Sequence, residues 1–189
     1  MPNEVLVKQG TIKAFGVTAS FSPADSATDM TGGGSITDVL TLSALANGAG
    51  RQSTKTDLGA TRADRYAVFA AVDFTGETPT AGNSVDFYWA PSISTTTANS
   101  NIAGNSGSDA AAPGGALGSI TLAEFIEQCQ PIGSLIIHDG ASVQNGFVGI
   151  FTPATRYGQM IVVNNSGDAF EADDVENHVV MIPMVDEIQ

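Results

Sequence analysis

Positive charge is scarce in this chain: seven Lys and Arg stand against twenty Asp and Glu, for a formal net charge of −13. Nucleic-acid binding depends on Lys and Arg neutralising phosphates, and anionic membrane surfaces recruit the same side chains, so neither partner is expected. Charge of either sign is also low, at 14% of residues against about a quarter in an ordinary domain. The surface must be made of Ser, Thr, Asn, Gly and Ala instead, a composition more common in extracellular or particle-borne β-proteins than in cytosolic enzymes. A single cysteine, Cys129, excludes an internal disulfide and reads as a small buried apolar residue. No apolar run approaches the ~20 residues that a membrane-spanning helix needs. The opening MPNEVLVKQG has neither a basic nor an apolar signal region, so the expectation is synthesis in a cytoplasm without a secretory signal.

Chemistry-bearing residues are equally sparse. The two histidines, His138 in LIIHDG and His178 after an acidic run, stand about forty residues apart, which does not make a clustered metal-ligand set. No GxSxG elbow is present and no Cys–His family signature surrounds Cys129, so nothing in the sequence marks a nucleophile with its base. The glycine-rich stretches at 32–34 and 114–118 lack the Lys-Ser/Thr of a phosphate loop and the strand–helix setting of a dinucleotide fingerprint. No cofactor and no enzymatic activity is expected.

What the sequence does contain is β-structure. Apolar residues make up 42% of 189, enough for one domain with a core. The clearest stretch is 65–91, RYAVFAAVDFTGETPTAGNSVDFYWAP. Tyr66, Val68, Ala70, Val72 and Phe74 recur at period two. Ala67, Phe69 and Ala71 lie between them, which predicts a central strand covered on both faces. Val85, Phe87 and Trp89 alternate with Ser84, Asp86 and Tyr88 in a second strand, and the turn formers of TGETPTAGN join the two. Further strands are predicted over 3–9, 11–21, 132–139, 144–152, 158–165 and 177–185. Residues 38–45 are compatible with a strand or a helical turn, and 51–58 with an edge strand. One short helix is predicted over about 120–129. Thr121 would cap it in a capping box with Glu124, and Leu122, Phe125, Ile126 and Cys129 would form its apolar face. Eight to ten strands with no βαβ alternation define an all-β, jelly-roll-like β-sandwich with long Gly/Ser/Ala-rich loops. A single domain over 1–189 is expected, with an extended N-terminal segment over about 1–37.

Two loop regions draw attention. The 92–119 excursion, SISTTTANSNIAGNSGSDAAAPGGALGS, has almost no large apolar side chain with which to offset its ordering entropy, and reads either as a functional reach or as a disordered segment. The acidic run DAFEADDVE places Asp168, Glu171, Asp173, Asp174 and Glu176 close together. These are oxygen ligands of the kind calcium takes, but without EF-hand spacing, and a solvated acidic turn is the simpler expectation.

The segments LTLSALANGAGRQSTKTDLGATRADRYAVFAAVDFTGETPTAGNSVDFYWAPS, IGSLIIHD and RYGQMIVVNNSGDAFEADDVENHVVMIPMVDEIQ together resemble structural proteins of tailed-bacteriophage particles. The resemblance covers most of 38–189 and none of the first 37 residues. It implies a β-sandwich subunit of the virion, a capsid decoration or cement protein without an active site. Its implied partners are the major capsid protein or other virion subunits, along with further copies of itself. The contact elements expected on this reading are Val5, Leu6 and Val7, the loop around Gly32, Gly33 and Gly34, and the long excursion with Ile102. The alternative is a carbohydrate- or receptor-binding module of a fibre or tail, which would need Tyr88, Trp89 and Tyr157 exposed as an aromatic platform. A hydrolase is a third possibility and would need His138 or His178 beside a Ser or an acid in a pocket.

Overall fold

The computed structural model describes residues 5–9, 12–17, 36–114, 119–138, 140, 142–173 and 176–188. It is an all-β sandwich of two six-stranded sheets with one short helix. In the first sheet β6 (Arg65–Val72) lies between β10 (Gln144–Phe151) and β12 (His178–Ile188). Strand β12 also carries β1 (Val5–Gln9) and β2 (Lys13–Gly16) end to end along its other side, and β3 (Asp38–Val39) adds to β2 in parallel. In the second sheet β11 (Tyr157–Asn165) pairs along its whole length with β7 (Ser84–Ser92). Its other side takes β4 (Gly50–Gln52) and β5 (Thr56–Asp57), while β8 (Ala110–Ala112) and β9 (Gln130–Ile136) form the two edges. Twelve described strands exceed the eight to ten expected, because β3, β5 and β8 are two- or three-residue pieces too short to leave a periodic signature.

The core lies where the period-two pattern puts it. Tyr66, Val68, Ala70 and Val72 of β6 meet Val85, Phe87 and Trp89 of β7, with Met160, Val162, Val179 and Met181, all buried. Phe74 and Phe170 close one end of this layer edge to face, with ring centroids 5.3 Å apart. Leu40 and Leu42, ambiguous in sequence, are fully buried in this core beyond β3. Close packing between the layers depends on missing side chains. A Cβ on Gly158 would enter the indole of Trp89, and one on Gly133 or Gly149 would meet the Val148 or Ile132 carbonyl, where edge strands β9 and β10 approach each other.

The 92–119 region is not disordered over its described part, and neither is it an outward reach. Together with α1 (Leu122–Ile126) it folds back over the outer face of the second sheet. There Ala90, Ile161 and Val163 form a second apolar cluster with Ala112, Phe125 and Cys129. The helix starts as predicted: Thr121 accepts from the Glu124 amide and the Glu124 carboxylate accepts from the Thr121 amide. What the composition concealed is that polar contacts hold the loop. Lys55 Nζ donates to three of its carbonyls, Ser94, Thr96 and Asn99, at 3.2, 2.7 and 2.9 Å. Arg51 grips Asp109 through two bonds of 2.9 and 2.8 Å, and Gln52 donates to Ser106. Burial raises the Asp109 pKa, but the bonds from Arg51 and Thr41 outweigh it and hold the carboxyl below its usual range.

Candidate interaction surfaces

Strand β12 is longer than its neighbour. Its pairing with β6 ends at Met184 opposite Arg65, whereas its pairing with β1 runs on to Ile188 opposite Val5. Residues 5–8 and 185–188 therefore form a two-stranded ribbon that extends past the end of β6 by four residue pairs, about 13 Å. Among the described residues no third strand flanks it on either side. Val5, Leu6 and Val7, expected as contact residues, lie in this ribbon opposite Ile188, Glu187 and Asp186.

The outer face of the first sheet is the second candidate, and it corrects the reading of β6. The strand is central by pairing, yet its Ala67 and Phe69 are only half-buried. Beside them, Phe147 is 53% and Ile150 52% exposed. Phe147 lies opposite Phe69, with ring centroids 5.3 Å apart, and Ile150 lies opposite Ala67. Strict alternation would not put residues 147 and 150 on one face. A bulge between Phe147 and Gly149 does so, turning Val148 and Phe151 into the core and leaving Phe147 and Ile150 outside.

At the opposite end from the ribbon the acidic run folds against the end of β6. Carboxylate oxygens of Asp73, Asp173 and Glu176 lie within 4.8 Å of one another. Asn177 braces the group, accepting from the Asp73 amide and donating to the Asp173 carbonyl. Three such oxygens could serve as part of the shell of a hard cation. Of the acids predicted from sequence only Asp173 and Glu176 belong to this group. Asp168 instead accepts from the Thr78 amide and hydroxyl, which with the Ala169 amide holds its carboxyl below the usual range. Glu171 is not part of the trio either, and Asp174 lies outside the described residues. Asp73 was missed because it sits a hundred residues earlier, where its alternation resembles that of a strand end.

The remaining expectations separate. Gly32, Gly33 and Gly34 lie outside the described residues, as do residues 18–21 of the predicted second strand. Ile102 is half-buried: it packs on the second cluster and also lines a shallow groove of about 260 Å³ with Ile93, which is 79% exposed. Tyr88, Trp89 and Tyr157 do not form the aromatic platform. Trp89 is fully buried in the main core against Phe151, Tyr88 points to the opposite face under the second cluster, and Tyr157 lies beneath the Arg156 guanidinium. His138 is exposed beyond β9, its amide donating to the Gln144 side chain, while His178 is buried in β12 opposite Ala71. Cys129 is buried as expected, its thiol 3.4 Å from the Phe125 carbonyl. Among the described residues no helix is long and apolar enough to cross a membrane.

No protein-family model, curated protein or solved structure matches this chain.

Proposed function

We propose that this chain is a structural subunit of a tailed-bacteriophage particle that binds the capsid shell and stabilises it by many simultaneous contacts rather than by catalysis. The observation that carries the reading is the ribbon of 5–8 and 185–188 that extends past β6. A two-stranded ribbon by itself is marginal in water, and its open edges are templates for another strand. Such an arm gains stability when a neighbouring subunit supplies that strand, a recognition mode in which main-chain hydrogen bonds provide affinity. The strip of Phe69, Phe147 and Ile150 offers an apolar seat on the same sheet. Repeated around a symmetric shell, individually modest contacts become a strong collective restraint.

The test compares purified particles carrying the full chain, the chain lacking residues 1–9, or none. The full chain is expected to co-sediment with particles and to raise their resistance to heat and osmotic shock. The truncated chain is expected to remain folded but to be lost from particles. Equal particle stability with and without the subunit would refute the cementing role, and undiminished binding of the truncated chain would refute the role of the ribbon.

A further inference from the structure

Cations are few in this molecule, seven in all, and three are visibly saturated. Arg51 is bound by Asp109, Arg156 by Asp57 through two 2.7 Å bonds, and Lys55 by three carbonyls. Two differ. Among the described residues the Lys13 side chain makes no hydrogen bond or ion pair, although it lies in the field of Asp38 and Asp57, and the Arg62 side chain makes only a 3.4 Å bond to the Pro153 carbonyl. In a chain with twenty acids, two such cations in one place call for an explanation.

Both line the same groove, about 290 Å³, at the ribbon end of the sandwich. Its remaining walls are largely apolar, built from Leu58, Ala63, Pro183 and Val185. The carboxylate in the wall, Asp57, is neutralised: its oxygens accept from Arg156 and from the Gly59 amide, and the Arg156 bonds in particular hold its pKa down to about 2. Tyr66, also in the wall, is kept a neutral phenol by burial, which raises its pKa. The groove is thus lined by one lysine and one arginine among largely apolar side chains.

We propose that this groove binds a carboxylate attached to a short apolar body. A guanidinium fork matches a carboxylate through two parallel hydrogen bonds, and the ammonium adds a point charge. The apolar walls reward methylene groups, which an inorganic anion lacks. The occupant is a small free organic acid, a size the groove of about 290 Å³ fits. The inference is independent of the shell-binding reading.

The probe is butyrate, added to the full-length isotope-labelled protein and followed by amide and guanidinium NMR shifts. Butanol serves as the neutral analogue and inorganic phosphate as the anion without an apolar body. Saturable shifts confined to residue 13 and residues 57–66 and 183–185 are expected, with a Kd in the millimolar range, about 1–10 mM for so small a ligand. Arg62 is exposed, so Arg62→Gln leaves the fold intact and should weaken binding about tenfold, the loss of roughly one charge-assisted bond. Lys13→Gln should weaken it by a smaller factor. If the same resonances instead move only as the protein is concentrated, and sedimentation shows the mass rising, the surface is a contact between copies and the assignment is overturned. Butyrate shifts that are absent, that persist unchanged in Arg62→Gln, or that butanol or phosphate reproduces at equal concentration would overturn it.

Discussion

Replacing Lys55 by Met tests whether one ammonium organises the loop that follows β7. Lys55 Nζ donates to the carbonyls of Ser94, Thr96 and Asn99, and Ser92 Oγ adds a bond to the Ser100 carbonyl. Hydrogen bonds from a charged donor each contribute about 1.5–3 kcal/mol when buried. Here Thr96 and Asn99 are exposed, so their carbonyls regain water once the ammonium is gone, and the three bonds together are worth about 2 kcal/mol. Methionine keeps the length and apolar stem of lysine, so the core beneath is not opened. The loss should therefore fall on the loop, raising local opening about 30-fold. Native-state hydrogen exchange at the Asn99 amide, which bonds the Thr96 carbonyl, reads this directly. Global melting should fall by no more than about 8 °C, at 2–4 °C per kcal/mol for a chain of this size. Exchange at Asn99 within about threefold of wild type would show that something other than this cation holds the loop.

Three further outcomes follow from the geometry. Gly158→Ala forces a methyl group into the Trp89 ring and should cost about 1–3 kcal/mol, lowering the melting temperature and shifting the emission of the sole tryptophan; an unchanged melt and spectrum would refute the close packing. Burial pushes the Cys129 thiol pKa up to about 12, so an aromatic disulfide reagent at about pH 8 should label the protein only in denaturant, and rapid labelling of the native state would contradict the placement. Because the folded value lies above the usual 9.0, the stability tied to this neutral thiol is present below about pH 9 and is lost as pH rises toward about 12. Asp57 shows the opposite sign. Its folded pKa of about 2 lies below the usual 3.8, so the contribution of its pairing with Arg156 is present above about pH 4 and disappears as pH falls toward about 2. The difference in melting temperature between wild type and Asp57→Asn should narrow as pH falls over that interval, and a difference that does not narrow between about pH 4 and about pH 2 would refute the assignment.

The strands were legible wherever one face of them is buried. Tyr66, Val68, Ala70 and Val72 alternate because each inward side chain meets β7 and β11, and the same holds for Val85, Phe87 and Trp89. Thr121 and Glu124 announced the helix start because a capping box is a local arrangement. The 92–114 segment was misjudged because apolar content is only one source of order. Its cation, Lys55, comes from the connection between β4 and β5 about forty residues earlier, and a polar anchor of that kind leaves no periodic trace. The outer face of β6 was misjudged for a related reason: Ala67 and Phe69 are apolar, but whether anything covers them is not a local property.

The candidate surfaces divide along the same line. Composition and alternation by themselves determined an acidic, disulfide-free, all-β domain with one short capped helix, since charge count, cysteine count and side-chain period depend only on neighbours in the chain. Only the tertiary structure decided which chemistry converges. It carried β12 past the end of β6 to make the ribbon, joined Asp73 to Asp173 and Glu176, and brought Lys13 and Arg62 from separate segments into one groove. Pairing register and sheet stacking set these juxtapositions, and both are long-range. A side chain acquires its partner from whichever strand the hydrophobic faces bring beside it, however far away in sequence that strand begins.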